Sequence, residues 1–228
     1  MKYFVLIMLC FLSIEQIVAQ QYVEVEADSL YKEDQFYAGV TYNLLGEKLD
    51  GLKQSGFSLG FQLGFIKDMP INKRRNVAFG LGLGYSANSF NQNLLINRGS
   101  NGLVYSILDN ETFSKNKFSN HLIEVPFEFR WRSSTPLNYS FWRIYTGFKV
   151  SYVVAHTTIY KGDLGTIKLR DIEDFNKFQY GLTLSLGYDT WNIYMYYALN
   201  SIFSDNVTIN GEQLNMNTIK IGLMFYIL

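Results

Sequence analysis

Residues 121–132 read HLIEVPFEFRWR, from His121 to Arg132. Ile123, Val125, Phe127, Phe129 and Trp131 are apolar, and between them stand Glu124, Pro126, Glu128 and Arg130. An apolar residue at every second position predicts a β-strand with one greasy face and one charged face. Such a strand fits half of a soluble sandwich. It fits equally a barrel with its greasy face in lipid and its charges inside.

The rest of the chain favours the barrel. Seven further alternating rows are expected as strands. They begin at Phe36, Phe57, Val77, Trp142, Phe178, Trp191 and Ile219, which makes eight rows with the opening stretch. On the opposite parity lie small and polar residues, such as Ser58, Gly60, Gln62 and Gly64, or Arg143, Tyr145, Gly147 and Lys149. A sandwich would turn its large apolar groups inward and its polar groups outward. A narrow barrel in lipid inverts this arrangement. The predicted fold is therefore all-β: an eight-stranded antiparallel transmembrane β-barrel in an up-and-down meander. The Gly80–Gly84 run superficially matches a nucleotide-binding turn, but its spacing is wrong and strand alternation continues on both sides.

Connection lengths point the same way. After the first pair (residues 45–55 and 67–76) they alternate long and short: 88–120, 133–141, 160–177, 189–190 and 200–216. This is the pattern of long external loops and short periplasmic turns, with both termini periplasmic. Trp131, Trp142 and Trp191 border the short turns on outward parity, so they are expected to form a membrane-interface girdle.

Lys2, an apolar run from Tyr3 to Leu12 and small Ala19 form the parts of a secretory signal peptide over 1–19. Residues 20–34 follow as a periplasmic N-terminal segment, and 35–228 as the outer-membrane barrel. Cys10 lies within the apolar run after Leu9, a poor lipidation context. It is the only cysteine, so the mature chain has no disulfide, thiolate chemistry or cysteine metal site. With 20 basic and 20 acidic residues there is no electrostatic case for nucleic acid.

The signal peptide, the eight rows, LIEVPFEFRW in the fourth row and FGLGLGY in the third resemble the PorT-like outer-membrane β-barrel proteins. The resemblance covers essentially the whole mature chain. It implies an integral outer-membrane barrel of a Gram-negative envelope, with a link to a secretion apparatus. The chain departs from the aromatic ending common in such barrels, because Leu228 is last, after Phe225 and Tyr226.

An eight-stranded barrel is only about wide enough inside for its own side chains. Glu124, Glu128, Arg130, Arg143, Lys149 and Lys220 are expected to form a lumen charge cluster, read either as an ion-pair plug or as a proton or ion path. His121 and His156, both on outward parity, raise a lipid-modifying enzyme, but no serine and carboxylate stand in a catalytic relation to them. The expectation is a non-enzyme without cofactor or metal, because Asp163, Asp171, Glu173 and Asp174 match no calcium-loop spacing. Leu103, Tyr105 and Ile107 predict a hairpin extending strands three and four, exposed to lipopolysaccharide or an envelope protein partner. Lys73, Arg74 and Arg75 read as a solvated run in a short turn. A narrow channel or transporter is the alternative function. The partner's identity and the oligomeric state stay open.

Overall fold

The computed structural model describes residues 34–100, 102–109, 112–133 and 141–227. The expected signal peptide and, apart from Asp34, the N-terminal segment lie outside them. The strands are β1 (Gln35–Gly46), β2 (Leu59–Pro70), β3 (Val77–Asn91), β4 (Leu94–Gly99), β5 (Gly102–Ile107), β6 (Phe113–Arg132) and β7 (Trp142–Gly162). They continue as β8 (Gly165–Arg170), β9 (Phe178–Tyr188), β10 (Trp191–Ala198), β11 (Thr208–Ile209), β12 (Glu212–Gln213) and β13 (Asn217–Ile227).

Eight of these strands close on themselves. The order β6-β3-β2-β1-β13-β10-β9-β7 is completed by β6–β7 pairing, and every pairing is antiparallel. Closure pairs every edge, which is what permits a strand to stand in lipid. All eight predicted rows are present and face outward. Phe61, Leu83, Val125, Val150, Leu182, Ile193 and Leu223 are among the exposed apolar residues. The ladder between β3 and β6 skips Gly82 and Leu83 opposite Pro126 and Val125, where proline has no N–H to donate.

Glycines on the inner face admit large neighbours. Gly64 and Gly84 stand opposite each other, and a Cβ on Gly64 would lie 2.6 Å from Tyr37 Cε1. The Tyr37 ring, 4% exposed, occupies the room that the missing side chains leave.

Three expectations about the ends change. First, β3 runs on to Asn91 and β6 starts at Phe113, so much of the predicted 88–120 loop is strand rising beyond the barrel. Second, Leu103, Tyr105 and Ile107 lie in a separate β4–β5 hairpin and do not extend β3 and β6. They pack against a buried apolar cluster and are not exposed; the large apolar residue exposed on β5 is Val104. Third, the β6–β7 register shifts at His121/Leu122: Leu122 faces Val153 while His121 faces Ala155, so Val154 is the extra residue. A bulge reverses parity beyond it. His156 therefore points inward with Thr158 and Tyr160, contrary to its predicted outward placement.

Beyond the barrel the loops share a core. Leu45, Phe90, Phe118, Phe175, Phe203, Leu214 and Met216 belong to one cluster of buried side chains, joined by Leu94 and Ile96 from β4. Phe203 and Phe118 are completely buried, and the Phe203 and Phe175 rings are 4.5 Å apart. Apolar burial thus folds the loops into a cap over one barrel mouth.

Candidate functional site

The inward side chains of the barrel wall come from the parity opposite the apolar rows. Glu124, Glu128, Arg130 and Arg132 project from β6, Arg143 and Lys149 from β7, Lys220 from β13 and Asp68 from β2, all buried. Charges removed from water require partners, and all of these but Arg143 gather in two groups.

The first group centres on Glu124. Lys149 Nζ donates to Glu124 Oε2 at 2.8 Å and to Gln62 Oε1 at 3.0 Å. Lys220 Nζ lies 3.8 Å from Glu124 Oε1, to which Ser86 Oγ donates at 2.7 Å. Lys149 and Lys220 also stand 5.2 Å from the ring centres of Tyr194 and Tyr196 respectively, a favourable cation–π geometry.

The second group centres on Asp68. Arg132 grips it with Nη1 at 2.9 Å and Nη2 at 2.8 Å, and Arg130 Nη1 donates to it at 2.9 Å. Bidentate guanidinium–carboxylate contact is the strong form of this interaction. Arg130 also donates to Gln35, lies 4.2 Å over the Tyr145 ring, and has Nε 3.5 Å from Glu128 Oε2. Arg132 Nε donates to the Arg75 carbonyl at 3.0 Å.

Five of the six predicted lumen charges enter these groups. Arg143 enters neither: it donates to the Asp189 carbonyl of the turn and stacks 4.4 Å over Phe141. The central residue of the second group, Asp68, falls in the predicted connection 67–76 but stands on β2. Its signal was present, since Met69 continues the apolar row of β2 and puts Asp68 on inward parity. Arg132 was likewise legible from the parity of Glu128 and Arg130.

The two histidines lie on opposite faces of the barrel wall. His121 Nδ1 is 2.5 Å from the Tyr85 hydroxyl on the outer face, whereas His156 stacks on Phe175 at 4.5 Å on the inner one. Among the described residues no three His, Cys, Asp or Glu side chains are grouped to hold a metal. Of the loop acids, Asp174 accepts a hydrogen bond from Tyr105 at 2.6 Å. Burial and that bond push the Tyr105 hydroxyl pKa well above its ordinary value. Trp131, Trp142 and Trp191 are all outward and exposed at the turn end, with Trp142 against Tyr188 and Trp191 against Phe225.

Among solved structures, Ail, the attachment invasion locus protein of Yersinia pestis, aligns at 12% identity and a TM-score of 0.42, covering 87% of this chain and 100% of Ail. Ail in complex with the heparin analogue sucrose octasulfate aligns at 14% identity and a TM-score of 0.42, with the same coverage. A porin of Rhodopseudomonas blastica aligns at 7% identity and a TM-score of 0.21, covering 86% of this chain and 100% of the porin. No curated protein matches the chain. The outer membrane protein beta-barrel domain family matches residues 19–204, which takes in every barrel strand before β13. With its closed barrel and apolar exterior, the chain belongs to that family and is an integral outer-membrane β-barrel protein.

Proposed function

We propose that this protein is a closed, non-enzymatic barrel that presents its folded loop cap at the cell surface to an envelope partner. The observation that carries this reading is the stacking of two buried ionic groups, around Glu124 and Asp68, beneath a cap with an apolar core. A conduction path needs charges that exchange partners with water. Here Glu124 and Asp68 are held by lysine and arginine, and the mouth above them is filled by phenylalanine and leucine. The loop end is external and both chain ends are periplasmic, supported by the alternation of long loops with short turns. Within the family, the LIEVPFEFRW and FGLGLGY stretches resemble PorT-like proteins and support a role beside a secretion apparatus.

Purified, refolded protein in planar bilayers tests the closed lumen. The expected trace has no unitary steps above the leak of a protein-free membrane. Regular, reproducible steps would establish the channel or transporter reading instead.

A further inference from the structure

Above the bulge, β6, β7 and β8 continue as a three-stranded sheet beyond the barrel. Cross-strand pairs align Ser119, Thr157 and Arg170 in one row, Lys117, Ile159 and Lys168 in the next, and Lys115, Lys161 and Thr166 in the third. These residues share the outward face, because Phe118, Thr158 and Leu169 on the other parity turn to the cap core. The outward face thus gathers five cations, Lys115, Lys117, Lys161, Lys168 and Arg170. All are exposed except Lys117, which is partly buried. Among the described residues none of them forms an ion pair. Two carboxylates border the patch: Asp163, exposed in the β7–β8 turn and without an ion pair among the described residues, and Asp171, which acts on His156 on the interior side.

Height selects the ligand. Below this sheet the same outward parity carries the apolar band from Ile123 to Trp131, about 20 Å tall for strands rising ~3.4 Å per residue at a tilt of ~40°. On the same scale Lys117 stands about 15 Å beyond Ile123, above the ~5–8 Å that a phospholipid headgroup layer adds to the hydrocarbon core. Phosphates at that height belong to sugars. Partial burial and the neighbouring Lys115 ammonium also lower the Lys117 pKa, so a counter-anion would relieve the patch's own repulsion.

We propose that this basic sheet face binds the phosphorylated saccharide of an outer-leaflet glycolipid, a lipopolysaccharide, beside the barrel. The inference rests on the external placement of the loop end.

The folded protein, in zwitterionic detergent with a chelator to remove bridging cations, is titrated with fluorescent rough lipopolysaccharide that carries a complete phosphorylated core saccharide, and followed by anisotropy. Lys117→Gln/Lys168→Gln/Arg170→Gln should weaken binding by about tenfold or more, while Lys73→Gln/Arg74→Gln at the opposite end leaves it unchanged. Glycolipid stripped of its phosphates should bind the wild-type protein no better than the triple variant binds the intact lipid. Heat-shifted gel migration checks that each variant is folded. Equal binding by wild type and triple variant, or equal binding of intact and stripped glycolipid, overturns the proposal. Tighter binding of a soluble sulfated polysaccharide at equal anionic charge overturns the lipid source. Surface labelling of Gly165→Cys in intact cells reads orientation alone, so a failure of the external placement is distinguishable from a failure of the patch.

Discussion

Lys149 Nζ lies 2.8 Å from Glu124, although Glu128 faces Gly147, only two positions from Lys149 on β7. Glu124 faces Ser151 and Lys149 faces Pro126, so the two charges meet diagonally across the β6–β7 ladder. Lys220 reaches the same carboxylate from another wall. Glu124→Gln therefore strands two buried ammonium groups, and breaking such a pair typically costs about 3–5 kcal/mol. Glu124→Gln combined with Lys149→Met should recover part of the loss, because one uncompensated charge is gone. Urea unfolding in lipid measures both; a double variant no more stable than the single one would contradict the pairing.

Val125 and Leu184 face outward near the middle of the apolar band. Arginine at either position should cost about 2–4 kcal/mol if it lies near the bilayer midplane. Unfolding midpoints unchanged at both positions would remove these faces from lipid.

Phe203, fully buried against Phe118, Phe175 and Tyr105, joins the loop after β10 to the β6 wall. Truncation to alanine should cost about 3–5 kcal/mol locally. The loss should appear as protease cleavage in the loops while the heat-shifted gel mobility of the barrel persists. Uncut loops would mean that the cap does not depend on this core.

His156 sits beyond the bulge, stacked on Phe175, where burial lowers its pKa and the Ile172 backbone hydrogen bond and Asp171 only partly oppose the shift. A histidine whose folded pKa is depressed binds more protons when unfolded. Its contribution is whole above an unfolded pKa of about 6.5 and is lost as pH falls towards the folded value. Cap opening, followed by amide exchange of residues near 172–176, should therefore increase below that pH, and His156→Phe should flatten the dependence. A flat wild-type profile would rule out this linkage.

Orientation has a direct check. A cysteine at Gly165, at the β7–β8 turn, should react with an impermeant maleimide on intact cells, whereas one at Asp189, in the turn between β9 and β10, should react only after the outer membrane is opened. The reverse pattern would invert the barrel.

Alternation alone determined that eight strands exist, which face of each is apolar, and that Glu124, Glu128 and Arg130 lie inside with Lys149 and Lys220. Those are period-two properties, local to each strand. Which charge meets which depends on the stagger between strands, and that is a property of the closed barrel: Lys149 goes to Glu124, Arg143 to a turn carbonyl, and Arg132 to an aspartate 64 residues away. Likewise, one extra residue at Val154 reverses the parity beyond it and carries His156 from the predicted outer face to the cap core. Leu103, Tyr105 and Ile107 read as exposed because their own hairpin supplies only part of what covers them, Leu94 and Ile96. Their other partners, among them Phe203, Phe175 and Leu214, come from other loops, and only chain closure brings those together.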